Sequence, residues 1–372
     1  AGSSWRFQKN DGPFNFKHIF VSNGALVTMD EEVSITSDEL IVDKGTSLPL
    51  SKGSLFTVNR ITIDGGTIIS SGEESIVADI LSLSNSAVVT VIPQQTLTLF
   101  VPRIIIDSSS TISASEKGNS VGIGFPPTYS GGGSYGGIGG GNTATSTYGS
   151  ATKPVDSGSA GGAPHSIGGG AIRLVVSDSL INDGVISTDG NVSASGGSIY
   201  VTAKEIKGAG VFRANGGGLG VGGYFSGPGG GGRIALHYQT YSLSGKVEAL
   251  AGCGSYDGWT MSCAENGTVG FFDTTNNDLL ITTSWRFQKS DGPFNFNTIT
   301  ITDGAGVSVE DGAIITANNI LVDKGASVVI SGSSSLSVPS FTLDGGSTVT
   351  MSGNETLSIT TLAIKGNSKI TV

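Results

Sequence analysis

The stretch ELIVDKGTSLPLSKGSLFTVNRITIDGGT, Glu39 to Thr67, decides how the chain is read. An apolar run closes on Asp43 and a Lys-Gly turn, and a second β-rich run follows. The pattern then returns 21 residues later at Ile61, Ile63 and Asp64. The turn-opening residues Ser22, Asp43, Asp64, Ser84 and Asp107 are spaced 21, 21, 20 and 23. Thr302, Asp323, Asp344 and Lys365 repeat the beat at 21. Alternation along a strand puts Ile61, Ile63 and Ile68 on one side and their neighbours in solvent. Asp, Asn and Gly after each run suit a corner that needs positive φ and side-chain-to-backbone bonds. A period of this length with two or three short strands is one coil of a parallel β-helix, stacked about 4.8 Å from the next.

A longer repeat frames the short one. Ser4 to Phe16 reads SWRFQKNDGPFNF, and Ser284 to Phe296 reads SWRFQKSDGPFNF, differing only at Asn10 against Ser290. The offset of 280 holds from ELIVDKGTS to ILVDKGAS and from ITIDGGT to FTLDGGS. The chain therefore divides into one tandem unit, 1–280, with a Gly-rich insertion at about 117–170, and the first third of the next, 281–372, expected as a continuous solenoid.

Composition narrows the function. The 59 glycines exceed ordinary usage more than twofold, only 13% of residues are charged, and helix formers are scarce. A net charge of −10 leaves no basic stripe for nucleic acid. No apolar run is long enough for membrane insertion as a helix. The chain opens at Ala1 without a methionine or signal-like segment, which reads as a mature or internal fragment. Cys253 and Cys263 stand ten apart with no other cysteine, so a local disulfide is expected, contributing about 2–3 kcal/mol. Three N-glycosylation sequons, at Asn191, Asn266 and Asn354, agree with an oxidising compartment and an extracellular or cell-surface location.

Residues 117–170 break the beat. Their composition fits a flexible linker, whereas Phe125, Tyr129, Tyr135, Ile138 and Tyr148 at intervals fit an ordered excursion on the solenoid flank. The strand pattern then resumes in longer coils that begin near Ile172, Ile199, Ile234 and Val269. The runs GGGAIRL…GVISTDG, GGSIYV…GVFRANGG and GGGGRIAL…GKVEALAG resemble the Gly-rich repeats of large secreted β-helical surface proteins, the adhesin-like or filament-forming chains of microbes and protists. The resemblance covers about 104–284 and implies a right-handed parallel β-helix with a structural or adhesive role. It brings no catalytic residues and no cofactor. The flanking copies extend the analogy to extracellular fibres such as the hairs of protist flagella.

Candidate chemistry is sparse. Asp30-Glu31-Glu32 and Glu310-Asp311 place neighbouring carboxylates on opposite faces of a strand, poor geometry for an acid/base pair, and read instead as an exposed corner. Asp43, Asp64 and Asp107 suggest a metal ladder, but Lys365 interrupts it in the second copy, so corner chemistry is the better reading and no metal is expected. His18, His165 and His237 lack ligand spacing, and Gly218 to Gly223 matches a dinucleotide fingerprint without the helix it needs. Threonine pairs such as Thr298/Thr300, Thr348/Thr350 and Thr360/Thr361 raise an ice-binding face, though their ranks are irregular.

The aromatic motif carries more. Trp5, Phe7, Phe14 and Phe16, with Trp285, Phe287, Phe294 and Phe296, are costly to expose and mark either a stack inside a coil or a junction between units or chains. The sequence thus points to a non-enzymatic fibre, sheath or stalk whose partners are copies of itself. The alternatives are an adhesin that binds glycans or proteins through the Gly/Tyr loops, and a carbohydrate-active enzyme.

Overall fold

The computed structural model describes residues 4–121, 131–141, 146–219, 226–255 and 261–372. Among these the regular elements are strands plus two single-turn 3-10 segments, Lys9–Asp11 and Lys289–Asp291. The architecture is a parallel β-helix. Each early coil supplies a long strand, as in Ser34–Asp43, Leu55–Asp64 and Ser75–Ser84, and a short one, as in Leu26–Met29, Ser47–Pro49 and Thr67–Ser70.

The 21-residue beat becomes register. Ile35 lies on Phe56 and Phe56 on Ile76; Leu40, Ile61 and Leu81 form a second column; Asp43, Asp64 and Ser84 align at the corner. Ile61, Ile63 and Ile68 are all buried, each contributing about 1.5–3 kcal/mol through area removed from water. The longer coils keep the same order, since Leu97, Ile172, Ile199, Ile234 and Val269 stack in sequence. The short strands of the first unit make one nine-stranded sheet, fewer than the about a dozen coils expected of a 280-residue unit at this period. The difference arises because the whole Gly-rich insertion is spent on one turn, between Arg103–Ile106 and its partner residues Ser179–Asn182.

That insertion is an ordered excursion where it is described. Its backbone bonds to neighbouring glycine segments, with Gly132 N–H on Gly140 O at 2.8 Å, Gly137 N–H on Gly231 O at 2.9 Å and Gly230 N–H on Gly133 O at 2.9 Å. Segments meet backbone to backbone. A Cβ on Gly136 would sit 2.0 Å from Gly232 O, so glycine is required there. Phe125 and Tyr129 lie outside the described residues.

The passage from the first unit to the second departs from uniform parallel stacking. Strand Thr268–Asp273 meets Asp278–Ile281 in an antiparallel hairpin, Phe271 opposite Leu280 and Phe272 opposite Leu279. Asp278–Ile281 then carries Phe294–Ile301 in parallel, Leu279 on Ile299. The turn explains the reversal: Asp273 Oδ1 accepts the N–H groups of Thr275 and Asn276 at 2.8 and 3.1 Å, and Asn277 takes a φ of 57°. Two hydrophobic cores result. Phe271 belongs to the first, while Phe272 belongs to the second with Trp285, Phe287 and Phe294. Adjacent strand residues face opposite ways, so one strand walls both cores.

Candidate functional site

Both copies of the motif fold alike. In each, a strand carrying Trp and Phe (Ser4–Phe7 or Ser284–Phe287) passes through the 3-10 turn to a second strand (Phe14–Val21 or Phe294–Ile301), across a cis Gly-Pro bond. Phe7 and Phe14 meet edge to face at 5.0 Å, and Phe287 and Phe294 at 4.9 Å. Trp5 lies 6.3 Å from Phe7, and Trp285 6.0 Å from Phe287. The acidic run read as an exposed corner anchors this motif from one coil further on. Asp30 Oδ1 accepts from Arg6 Nη2 at 2.6 Å, Asp30 Oδ2 accepts from Lys9 N–H at 3.1 Å, and Glu32 pairs with Lys9 Nζ. The Arg6 guanidinium holds the Asp30 carboxyl below its usual range, and the Lys9 ammonium does the same for Glu32.

The copies differ in cover. Trp5 is 60% exposed and Trp285 1%. Trp285 lies against the outer side of the first unit's last long strand. Its ring covers Gly270, where a Cβ would fall 2.6 Å from Cζ3, and it meets Phe272 edge to face at 5.8 Å. Phe296 reaches the same Phe272 at 6.2 Å. Arg286 pairs with Glu265 of the first unit as well as with Glu310, 3.8 Å away.

The Gly-rich excursion closes the site. Ala151 N–H donates to Asp291 Oδ2 at 2.6 Å, and Gln288 Nε2 donates to Thr147 Oγ1 at 3.4 Å. Ala151 is buried within the second core. Arg233, a fully buried cation, joins these parts. It donates to Tyr148 O from Nε and Nη2 at 3.1 and 2.8 Å and to Gln288 Oε1 at 3.2 Å, and its guanidinium lies 5.3 Å from the centre of the Tyr135 ring. Burial pushes the Tyr135 phenol well above its ordinary pKa and that of Tyr148 to about 12, so both stay neutral. His237 stacks on Phe272 at 4.2 Å with Nε2 2.9 Å from Thr152 O, and burial lowers its pKa. The sequence reading passed over Arg233; the one visible signal was a lone charge closing the run GPGGGGR.

The remaining candidates separate. Cys253 and Cys263 are bonded across a short antiparallel ladder, Cys253–Ser255 with Met261–Cys263. Asn266 and Asn354 are exposed. Asn191 is engaged at both ends of its amide, Oδ1 accepting from Ile167 N–H at 2.6 Å and Nδ2 donating to His165 O at 2.9 Å. The aspartates of the ladder accept hydrogen bonds at their own corners and at those of neighbouring coils. Asp64 Oδ1 accepts from Asn85 Nδ2 at 2.5 Å, and Asp107 accepts from Asn85 and Ser109 N–H groups at 2.9 and 3.0 Å. Among the described residues no group of three or more His, Cys, Asp or Glu side chains could hold a metal ion. The threonine ranks mix with other residues, one column running Thr300, Leu321, Thr342, Ala363. His18 aligns with Thr298 and stands 3.4 Å from Glu39. Most of Gly218 to Gly223 lies outside the described residues. No helix of the described residues is long and apolar enough to cross a membrane. Comparisons of the chain with protein-family models, curated proteins and solved structures find no match.

Proposed function

We propose that this chain is an architectural extracellular repeat protein, a section of a fibre, sheath or stalk built by joining β-helical units, in keeping with the resemblance to secreted filament-forming and adhesin-like proteins. The observation that carries this reading is the pair of motif copies. The same thirteen-residue stretch, changed at one position, is packed against a preceding unit at 284–296 and presents an open aromatic face at 4–16. Backbone pairing along the axis and stacked Ile, Leu and Val make length and stiffness additive in units. The disulfide is compatible with an oxidising location.

Electron microscopy of the native material tests it. An axial repeat equal to one 280-residue unit, with sugar at Asn266 and Asn354 and less at the engaged Asn191, is the expected result. Dispersed particles without any repeat overturn it. The adhesin alternative would have to work without Tyr135 and Tyr148, whose phenols are turned inward onto Ser198 and Ser159.

A further inference from the structure

The excursion and the motif are separated by about 140 residues in sequence, yet they meet at the unit junction through named groups. Thr147 and Ala151 engage Gln288 and Asp291, while Glu265, Gly270 and Phe272 engage Arg286 and Trp285. Every one of the four junction side chains on the motif has a twin in the first copy: Arg6, Trp5, Gln8 and Asp11. Gln8 and Asp11 are exposed, and among the described residues their side chains have no hydrogen-bond partner; Arg6 is paired from one side only, by Asp30. The Phe and Trp ring geometry is nevertheless the same in both copies. An acceptor already in its bound shape loses little freedom on docking.

We propose that the face at 4–16 is a preformed socket for one occupant, the junction end of another repeat unit. The unit is recognised by two separate parts: the flank of a last long strand of the Thr268–Asp273 kind, and a clasp of the 147–152 kind. The Gly-rich excursion is then a selectivity element. A unit that lacks the clasp would cover Trp5 but leave Asp11 without the backbone N–H that Asp291 accepts from Ala151, so a mismatched neighbour docks less well than a matched one. The first socket is also more apolar at its rim, with Phe20 and Leu26 where the second copy has Thr300 and Gly306, so its occupant presents an apolar border there. This inference rests on the architectural reading and assigns it a partner surface.

Amide exchange read by mass spectrometry tests both parts. In the chain as it stands, Asp291→Ala and Gln288→Ala are expected to speed exchange across 147–152 about tenfold; unchanged exchange there overturns the clasp. In a longer chain that carries residues 17–283 a second time ahead of Ser4, the single 4–16 segment is expected to gain the protection of 284–296. In that chain Asp11→Ala should release one of the two copies of 147–152. A longer chain with full strand content and a 4–16 segment exchanging as fast as before overturns the socket. The two readings fail separately: a filled socket in native material without fibres sinks the fibre alone, and fibres with an unprotected 4–16 segment sink the socket alone.

Discussion

Residues 4–16 and 284–296 are nearly the same sequence in the same conformation, and their surroundings are not. Arg6 has a side chain 63% exposed and pairs with Asp30; Arg286 is 22% exposed and is held between Glu265 and Glu310. Trp5 looks into solvent, whereas Trp285 is sealed against Gly270 and Phe272. Local sequence therefore sets the shape of the motif, down to ring angles of 74° and 79° in the two Phe pairs. What it is worth energetically is set by whatever lies over it.

The largest test of that contrast is truncation of the indole. Trp285→Ala is expected to cost about 3–5 kcal/mol, from lost transfer free energy and the cavity left behind. Trp5→Ala should stay within about 0.5 kcal/mol in this chain. Urea unfolding of the two variants measures both, and equal losses would break the comparison. Next comes Gly270→Ala, which drives a methyl into the Trp285 ring and is expected to cost about 1–3 kcal/mol. Proteolysis of the second unit, with the first as internal reference, reports it. A smaller effect is expected from Arg286→Ala, about 1 kcal/mol or less for a partly exposed pair, with Arg6→Ala smaller still; a double-mutant cycle with Glu265→Ala isolates the contact.

The subtlest is a pH dependence confined to the covered copy. Burial holds His237 below its usual 6.5, so the unfolded chain binds the proton more readily than the folded one. Stability from this group is complete above pH 6.5 and is lost as pH falls towards the folded pKa. The other charged group facing the ring is Lys153, which acts in the same direction. His237→Gln should flatten the slope of stability against pH in that window, and an unchanged slope would assign it elsewhere.

Much of this was legible beforehand. The 21-residue beat named the columns because strand alternation and stacking obey one period, and Ile172, Ile199, Ile234 and Val269 fell on one another as spaced. The motif was visible as a junction candidate because Trp and Phe are expensive to leave in water. The cover of Trp285 was not visible. It is made by Gly270 and Phe272 on the outer side of a strand whose inner residues keep the period, and no periodicity marks such contacts. The hairpin was hidden for a related reason. The run TTNND reads as an ordinary turn, and only Asn277 at positive φ with Asp273 capping two amides turns the chain back on itself. Asp30 and Glu32 looked like an idle corner because their partners, Arg6 and Lys9, lie one coil away.

The strand Thr268–Asp273 has a consequence for folding fidelity. Phe271 fills one core and Phe272 the other. A slip of one residue would exchange the two rings and send each to the wrong side. Neither unit can therefore settle an alternative alignment at this boundary without disturbing its neighbour, and an error on one side is reported at once on the other. In an array joined this way, each boundary would proofread the units on both sides of it.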